Sequence, residues 1–99
     1  MKRVEIIFDE SNENEIMMIL RQSQIENYTR YGKVTGHGSS GSKLGNAVGP
    51  GINNVLVVYT DDEGAERMTR AIRRFKEVSS EDGGHAATRC IVSEIETFI

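Results

Sequence analysis

The stretch NNVLVVYTDDEGAERMTRAI, residues 53–72, places a strand pattern directly before a helix pattern. Its first half holds an unbroken apolar run at residues 55–59, which is typical of a central strand covered on both faces. Asp61 and Asp62 follow, and either carboxylate can cap the N-terminus of a helix. Apolar residues then recur at helical spacing and predict a buried stripe of Ala65, Met68, Ile72 and Phe75. The stretch therefore predicts a β-α unit.

The N-terminal part of the chain begins with the same order. Residues 3–8, RVEIIF, alternate apolar and polar side chains as a strand does. Residues 9–24 predict an amphipathic helix, with Asp9 among its N-cap candidates and early carboxylates that suit the helix dipole. Residues 27–36, NYTRYGKVTG, predict a second strand from their tyrosines, threonines and valine. This part therefore reads β-α-β.

Two loops and a final strand complete the predicted order. Six glycines and the only proline lie in residues 36–51, which excludes a stable helix and predicts a long loop. Residues 79–89, SSEDGGHAATR, predict a second loop, and residues 90–99 alternate as a strand with one polar face. The order β-α-β-β-α-β predicts an α+β, ferredoxin-like split βαβ fold, with helices on one face of an antiparallel sheet. The apolar run at residues 55–59 favours a partner that covers the other face.

The charge and composition of the chain exclude several classes of function. The 99 residues carry a formal net charge of -3 and a pI near 5.4, so the chain lacks the basic field that binds a nucleic-acid backbone. The longest apolar run falls far short of the roughly 18 residues that span a membrane. Cys90 is the single cysteine, so no internal disulfide can form. We expect one domain, residues 1–99, in a cytoplasmic protein that binds no nucleic acid and does not insert into a membrane.

Residues 34–45, VTGHGSSGSKLG, nearly match two phosphate-binding patterns. Gly36, Gly38 and Gly41 fit the dinucleotide fingerprint G-x-G-x-x-G, and Lys43 misses the P-loop register by one residue. Both motifs need a helix directly after the glycines, because the helix N-terminus faces the phosphate. No helix pattern follows here, so neither motif is predicted. Two interpretations stay open: an anion-binding concavity of backbone N–H groups, or a small-residue loop without a ligand.

Four features follow one another over about residues 2–98: the start MKRVEIIF, the entry VTGHG into a long loop, the stretch NNVLVVYTDDEGAERMTRAI, and a glycine-rich loop before the last strand. In this combination the chain resembles the PII-type signalling proteins. The resemblance implies a homotrimer of ferredoxin-like subunits whose sheets face inward. It also implies that an adenine nucleotide, ATP, ADP or AMP, binds in clefts between neighbouring subunits. A long T-loop would signal to a protein partner, such as a membrane transporter or an enzyme.

The resemblance assigns the T-loop-like segment to about residues 36–53. Gly36, His37 and Gly38 match the family's V-K-G-F-G, where the T-loop leaves the nucleotide cleft, with His37 at the aromatic position. Ser39 adjoins them as a further candidate for nucleotide contact. The resemblance therefore places ligand contacts at the start of this loop.

The B-loop-like segment is assigned to about residues 79–89. This segment matches the family's G-D-G-K through Asp82, Gly83 and Gly84. The phosphate-facing lysine of that motif is replaced by His85 if the glycines set the register, or by Arg89 if the last strand sets it. Both alternatives stay open from the sequence.

The chain also departs from the family pattern. The T-loop-like segment is shorter and lacks the tyrosine used for uridylylation, so this modification is not expected. Ser40 stands where better-known members have the glutamine that helps bind magnesium and 2-oxoglutarate, which argues against 2-oxoglutarate sensing. A divergent PII-like protein is therefore expected, whose effector is an adenine nucleotide, a cyclic nucleotide, bicarbonate or none.

Two other functions compete with a nucleotide-binding regulator. A metal-binding ferredoxin-like trimer involved in metal tolerance would use His37, His85 or Cys90 as ligands, although no pair of them has local ligand spacing. An enzyme would need a nucleophile-base pair, which cannot be placed from the sequence, or paired carboxylates. The pairs present, Asp61 with Asp62 and Glu94 with Glu96, lie at capping or solvated-strand positions. The leading interpretation is a non-enzymatic regulatory protein.

Overall fold

The computed structural model describes residues 1–38, 41–43, 52–80 and 88–99. In chain order its elements are β1 (Lys2–Asp9), a 3-10 turn (Glu10–Asn12), α1 (Glu13–Gln22), β2 (Thr29–Val34), β3 (Gly36–Gly38), β4 (Gly41–Lys43), β5 (Asn53–Thr60), α2 (Asp62–Ser80) and β6 (Arg89–Glu94). Strands β1, β2, β5 and β6 correspond to the four predicted strands, and α1 and α2 to the two predicted helices. Neither helix in these ranges is long and apolar enough to cross a membrane.

The four longer strands form one antiparallel sheet in the order β2-β5-β1-β6. The central strands β1 and β5 pair along their full length, from Lys2 opposite Thr60 to Asp9 opposite Asn53. This strand order, combined with the chain order β-α-β-β-α-β, is the ferredoxin-like split βαβ arrangement. The predicted fold class is therefore confirmed.

The core lies between the helices and one face of the sheet. In β1 the alternate residues Val4, Ile6 and Phe8 are fully buried, whereas the residues between them are partly exposed. Both helices contribute apolar stripes to the same cluster: Ile16, Ile19, Leu20, Ala65, Met68 and Ile72. Phe75 packs against this cluster while partly buried, so the stripe predicted for α2 is confirmed.

Asp61, rather than Asp62, caps α2. The Gly64 N–H donates to Asp61 Oδ1 at 2.8 Å, and Asp62 is the first residue of the helix. A Cβ atom at Gly64 would lie 2.1 Å from Thr60 Oγ1. The turn into α2 therefore depends on both the carboxylate of Asp61 and the glycine at position 64.

Asp61→Ala is expected to lower the free energy of unfolding by about 1 kcal/mol, because the Gly64 N–H loses its acceptor. Urea denaturation followed by circular dichroism measures this loss. Asp62→Ala is the matched control, since it removes a first-turn carboxylate without removing the cap, and its cost is expected to be about half as large or less. Equal losses in the two variants would contradict the assignment of the cap.

The face of the sheet opposite the helices, which we call the open sheet face, carries several apolar side chains. By register these are Ile7, Tyr31, Val55, Val57, Tyr59 and Ile91. Tyr31 is 56% exposed and Ile91 is 47% exposed. Phe98 packs on Tyr59 with ring centroids 5.2 Å apart and covers only one end of this face. An exposed apolar face of this kind is typical of an interaction surface.

The structure also departs from the sequence expectation at the last strand and in the long loop. The last strand ends at Glu94, although residues 90–99 were expected to be extended, because Glu94 pairs with Lys2 where β1 begins and no further partner residue is present in β1. The Ile95 N–H then donates to Met1 O at 3.0 Å. In addition, part of the expected loop at residues 36–51 forms a ladder, in which Gly36–Gly38 pairs with Gly41–Lys43.

Candidate functional site

Segments that carry candidate site residues reach the same end of the sheet. Val34, the last residue of β2, lies opposite Asn53, and Asn53 lies opposite Asp9 at the end of β1. β6 begins at Arg89, which lies opposite Ile7. We call this end the loop end of the sheet, because both predicted loops connect to strands here. The antiparallel topology therefore brings the exit from β2 and the entry into β6 to one end.

The segment Gly36–Gly38 follows β2 at the loop end and pairs with Gly41–Lys43. Gly36 lies opposite Lys43, and His37 lies opposite Ser42. His37 is exposed. A Cβ atom at Gly36 would have no described neighbour within 4 Å, so the described fold does not itself demand glycine here. A glycine whose Cβ position is open allows close approach of a ligand to the backbone, which fits the approach of a phosphate group.

A polar network lies beside this segment, at the junction of α1, β2 and β5. Asn54 is 1% exposed, and its Oδ1 accepts a hydrogen bond from the Lys33 N–H at 3.0 Å. Its Nδ2 donates to Glu13 Oε1 at 3.2 Å. The same carboxylate oxygen forms an ion pair with Arg30 Nε. This ion pair raises the pKa of the Arg30 guanidinium above its ordinary value, so Arg30 stays charged.

Sequence analysis assigned no role to this network, although one signal for it was present. Asn54 has the same strand parity as Leu56 and Val58, which are both buried. A carboxamide at such a position lies on the helix-covered face, where a polar group needs hydrogen-bond partners. The identity of those partners, Glu13 and Lys33, depends on the tertiary fold and could not be read from spacing.

Among the candidate residues of the B-loop-like segment, the structure describes Arg89. Its Nη1 donates to Thr88 O at 3.3 Å, and Thr88 is buried. Strands β5 and β1 lie between β2 and β6, and three inter-strand spacings amount to roughly 14 Å. The sheet thus brings Gly36–Gly38 and Arg89 to one end but leaves two strands between them.

The other predicted site residues, Ser39, Gly83, Gly84 and His85, lie outside the described residues. The choice between His85 and Arg89 for the phosphate-facing position therefore stays a prediction. The same holds for Ser40 and its proposed link to 2-oxoglutarate.

The predicted metal ligands Cys90 and His37 belong to different parts of the fold. Cys90 lies in β6, the edge strand farthest from β2, where it pairs with Ile6 of β1. Its side chain packs against the core. Burial raises the pKa of the Cys90 thiol, although Arg73 and Lys76 oppose this shift; a raised pKa disfavours the thiolate that binds metals. In the described ranges no three His, Cys, Asp or Glu side chains are grouped so that they could hold a metal ion.

These features define a ferredoxin-like domain with a candidate ligand site at the loop end of its sheet. A family model described as "Nitrogen regulatory protein P-II" matches residues 1–96. The chain therefore belongs to the P-II family, and the resemblance drawn from the sequence is confirmed. A comparison with curated protein sequences gave no significant match.

Solved structures of PII-like proteins share this fold. CPII from Thiomonas intermedia K12, a nitrogen regulatory PII-like protein bound to ADP, AMP and bicarbonate, gives a TM-score of 0.77 at 20% identity, over 95% of this chain and 84% of that chain. The apo form of CPII gives 0.67 at 18% identity, over 95% and 87% of the two chains. A protein from Thermus thermophilus described as a PII-like signaling protein gives 0.63 at 17% identity, over 95% and 85%. At these identities the likeness shows the fold.

Proposed function

We propose that this P-II family member is a non-enzymatic regulatory homotrimer that binds an adenine nucleotide in clefts between its subunits. The observation that carries this proposal is the position of Gly36–Gly38, which leaves the sheet at its loop end with open space at the Gly36 Cβ position. Residues 1–99 act as a single domain. Within it, residues 36–53 serve as the T-loop that signals to a protein partner, and residues 79–89 serve as the B-loop.

Adenine nucleotides are the favoured ligands because solved relatives of the same fold hold them. Structures of CPII contain ADP with bicarbonate and ADP with AMP and bicarbonate. In this chain the open backbone at Gly36 and the guanidinium of Arg89 offer the two kinds of group that phosphates prefer, exposed main chain and a fixed positive charge. Bicarbonate is a second candidate effector on the same ground.

A trimer explains how two distant candidate segments can contribute to one cleft. The sheet leaves β5 and β1 between β2 and β6 within one chain. In a trimer whose open sheet faces pack together, the loop end of one subunit can approach a neighbouring subunit, and apolar residues such as Tyr31 and Ile91 are removed from water. Burial of this surface drives association, at about 25 cal/mol for each Å² of apolar area.

The nucleotide part of this function is tested by thermal unfolding of the wild-type protein with ADP, ATP or AMP. A ligand present at a hundred times its Kd stabilises the folded state by about 2.7 kcal/mol, so we expect the Tm to rise by roughly 10–20 °C for a domain of this size. GDP, GTP and GMP are the matched controls, because each carries the same phosphates as its adenine counterpart with a different base. A Tm that no adenine nucleotide raises more than its guanine counterpart does, with or without bicarbonate, would contradict specific adenine-nucleotide binding and leave the trimer to be tested separately.

A further inference from the structure

We propose that Asn54 and Glu13 are positioning residues that fix the direction in which Gly36–Gly38 leaves the sheet. This role rests on the function proposed above, because it treats Gly36–Gly38 as the base of a ligand site. The buried carboxamide of Asn54, a residue of β5, bonds to the N-terminus of α1 on one side and to the end of β2 on the other. Neither residue needs to contact the ligand.

An irregularity in β2 lies directly before this segment. Tyr31 is opposite Val55 but Val34 is opposite Asn53, so β2 has one more residue than β5 over this interval. Such a β-bulge bends its strand and changes the direction of the residues that follow. Lys33 lies in the bulge with a φ of 59°, in a region that residues with side chains rarely adopt. The bulge therefore requires contacts that hold it in place.

The side chain of Asn54 makes the contact that holds the bulge. Asn54 is the residue between Val55 and Asn53 on β5, opposite the bulge. Its Oδ1 accepts the hydrogen bond from the Lys33 N–H at 3.0 Å, where a regular ladder would use a backbone carbonyl. A buried N–H without an acceptor is unfavourable. The carboxamide therefore favours the bulged register over its alternatives.

Glu13 fixes the orientation of that carboxamide. Because Asn54 Nδ2 donates to Glu13 Oε1 at 3.2 Å, the amide oxygen is directed toward Lys33. Arg30 Nε pairs with the same carboxylate oxygen and holds the Glu13 side chain over β2. Glycine at position 32 leaves room for the Arg30 side chain, because a Cβ atom there would lie only 2.8 Å from Arg30 Nη1. Contacts among four residues thus define one conformation of the exit from β2. These residues are Glu13 of α1, Arg30 and Lys33 of β2, and Asn54 of β5.

The test uses amide hydrogen exchange at Lys33 in the nucleotide-free protein, together with the Kd for ADP. Asn54→Asp places a carboxylate against Glu13 with no proton donor between them, so we expect exchange at Lys33 to be about tenfold faster and ADP binding about tenfold weaker. The double variant Glu13→Gln with Asn54→Asp reverses the polarity of the pair, because the Nε2 group of the new glutamine donates to the new carboxylate at position 54, while its Oε1 is left to accept from Arg30. Exchange and affinity are expected to return to within about threefold of wild type.

Glu13→Ala provides an independent variant at a partly exposed position, and Glu15→Ala on the exposed surface of α1 is its matched control. Faster exchange at Lys33 in Glu13→Ala, at a global stability similar to that of Glu15→Ala, supports a positioning role. The role is overturned if the double variant gives no rescue, or if the two alanine variants exchange alike at Lys33. Wild-type protein that binds no ADP would refute the proposed function, whereas the exchange data would still decide whether Asn54 and Glu13 hold the segment.

Discussion

Ile91→Lys is expected to convert the proposed trimer into monomers, seen as a threefold fall in native mass. Ile91 lies on the open sheet face and is opposite Glu5, so a lysine there has an acidic neighbour and costs the isolated subunit little. Between packed subunits the same ammonium group would be buried, and an uncompensated buried charge costs several kcal/mol. Glu5 already pairs with Arg3 at 2.7 Å, so it cannot fully neutralise the added charge. Threefold symmetry repeats this cost in every subunit.

Val92→Lys is the matched control for the assembly prediction. Val92 is the next residue of the same strand, is 40% exposed and, opposite Val4, points to the helix side of the sheet. It therefore receives the same charge at a similar exposure on the other face, and its native mass is expected to equal that of wild type. Light scattering coupled to size exclusion measures both variants. Assembly of Ile91→Lys to the wild-type mass would contradict association through the open sheet face.

Gly36→Val is expected to abolish most adenine-nucleotide binding while leaving the fold intact. Gly36 pairs with Lys43 in a ladder, and a Cβ atom there would meet no described neighbour within 4 Å. Valine is favoured in strands, so the stability of the free protein is expected to change by less than about 0.5 kcal/mol. A ligand phosphate that approaches the backbone would instead clash with the new side chain. We expect the Kd for ADP, measured by calorimetry, to rise by about a hundredfold, or about 2.7 kcal/mol.

Thr35→Val is the control for this substitution, because it places a valine in the adjacent position with almost no change in shape. Its affinity for ADP is expected to stay within about threefold of wild type, a free-energy difference below about 1 kcal/mol. If Gly36→Val binds ADP as tightly as Thr35→Val does, the ligand does not approach the backbone at Gly36. The ligand would then have to bind at another part of the protein than the start of the loop.

The fold could be predicted from the sequence because its signals are local. Alternate burial of Val4, Ile6 and Phe8 follows from period-two spacing, and the stripe on α2 follows from helical spacing. The unbroken apolar run at residues 55–59 indicated that both faces of β5 are covered. In the single chain this holds for Val57, which is 4% exposed, but Tyr59 is 45% exposed. The proposed neighbouring subunit would cover the surface that stays exposed at Tyr59.

The candidate site was less accessible to sequence reasoning, because its parts meet only through tertiary structure. The glycines at positions 36 and 38 drew attention to the segment Gly36–Gly38, but the bulge at Lys33 directly before it has no sequence pattern of its own. Asn54 and Glu13 are far apart along the chain, and their contact depends on α1 packing across β2 and β5. The end of the last strand at Glu94 was missed for a similar reason, since the length of β1 determines it.

Native mass spectrometry of the wild-type protein, with and without ADP, tests the central claim most directly. The claim is that this P-II family member is a trimer that takes up adenine nucleotide in clefts between its subunits. The account predicts a species of three times the 11.0 kDa chain mass that gains up to one ADP for each subunit, and no such gain with GDP. A monomer under these conditions, or a trimer that gains ADP and GDP alike, would contradict it.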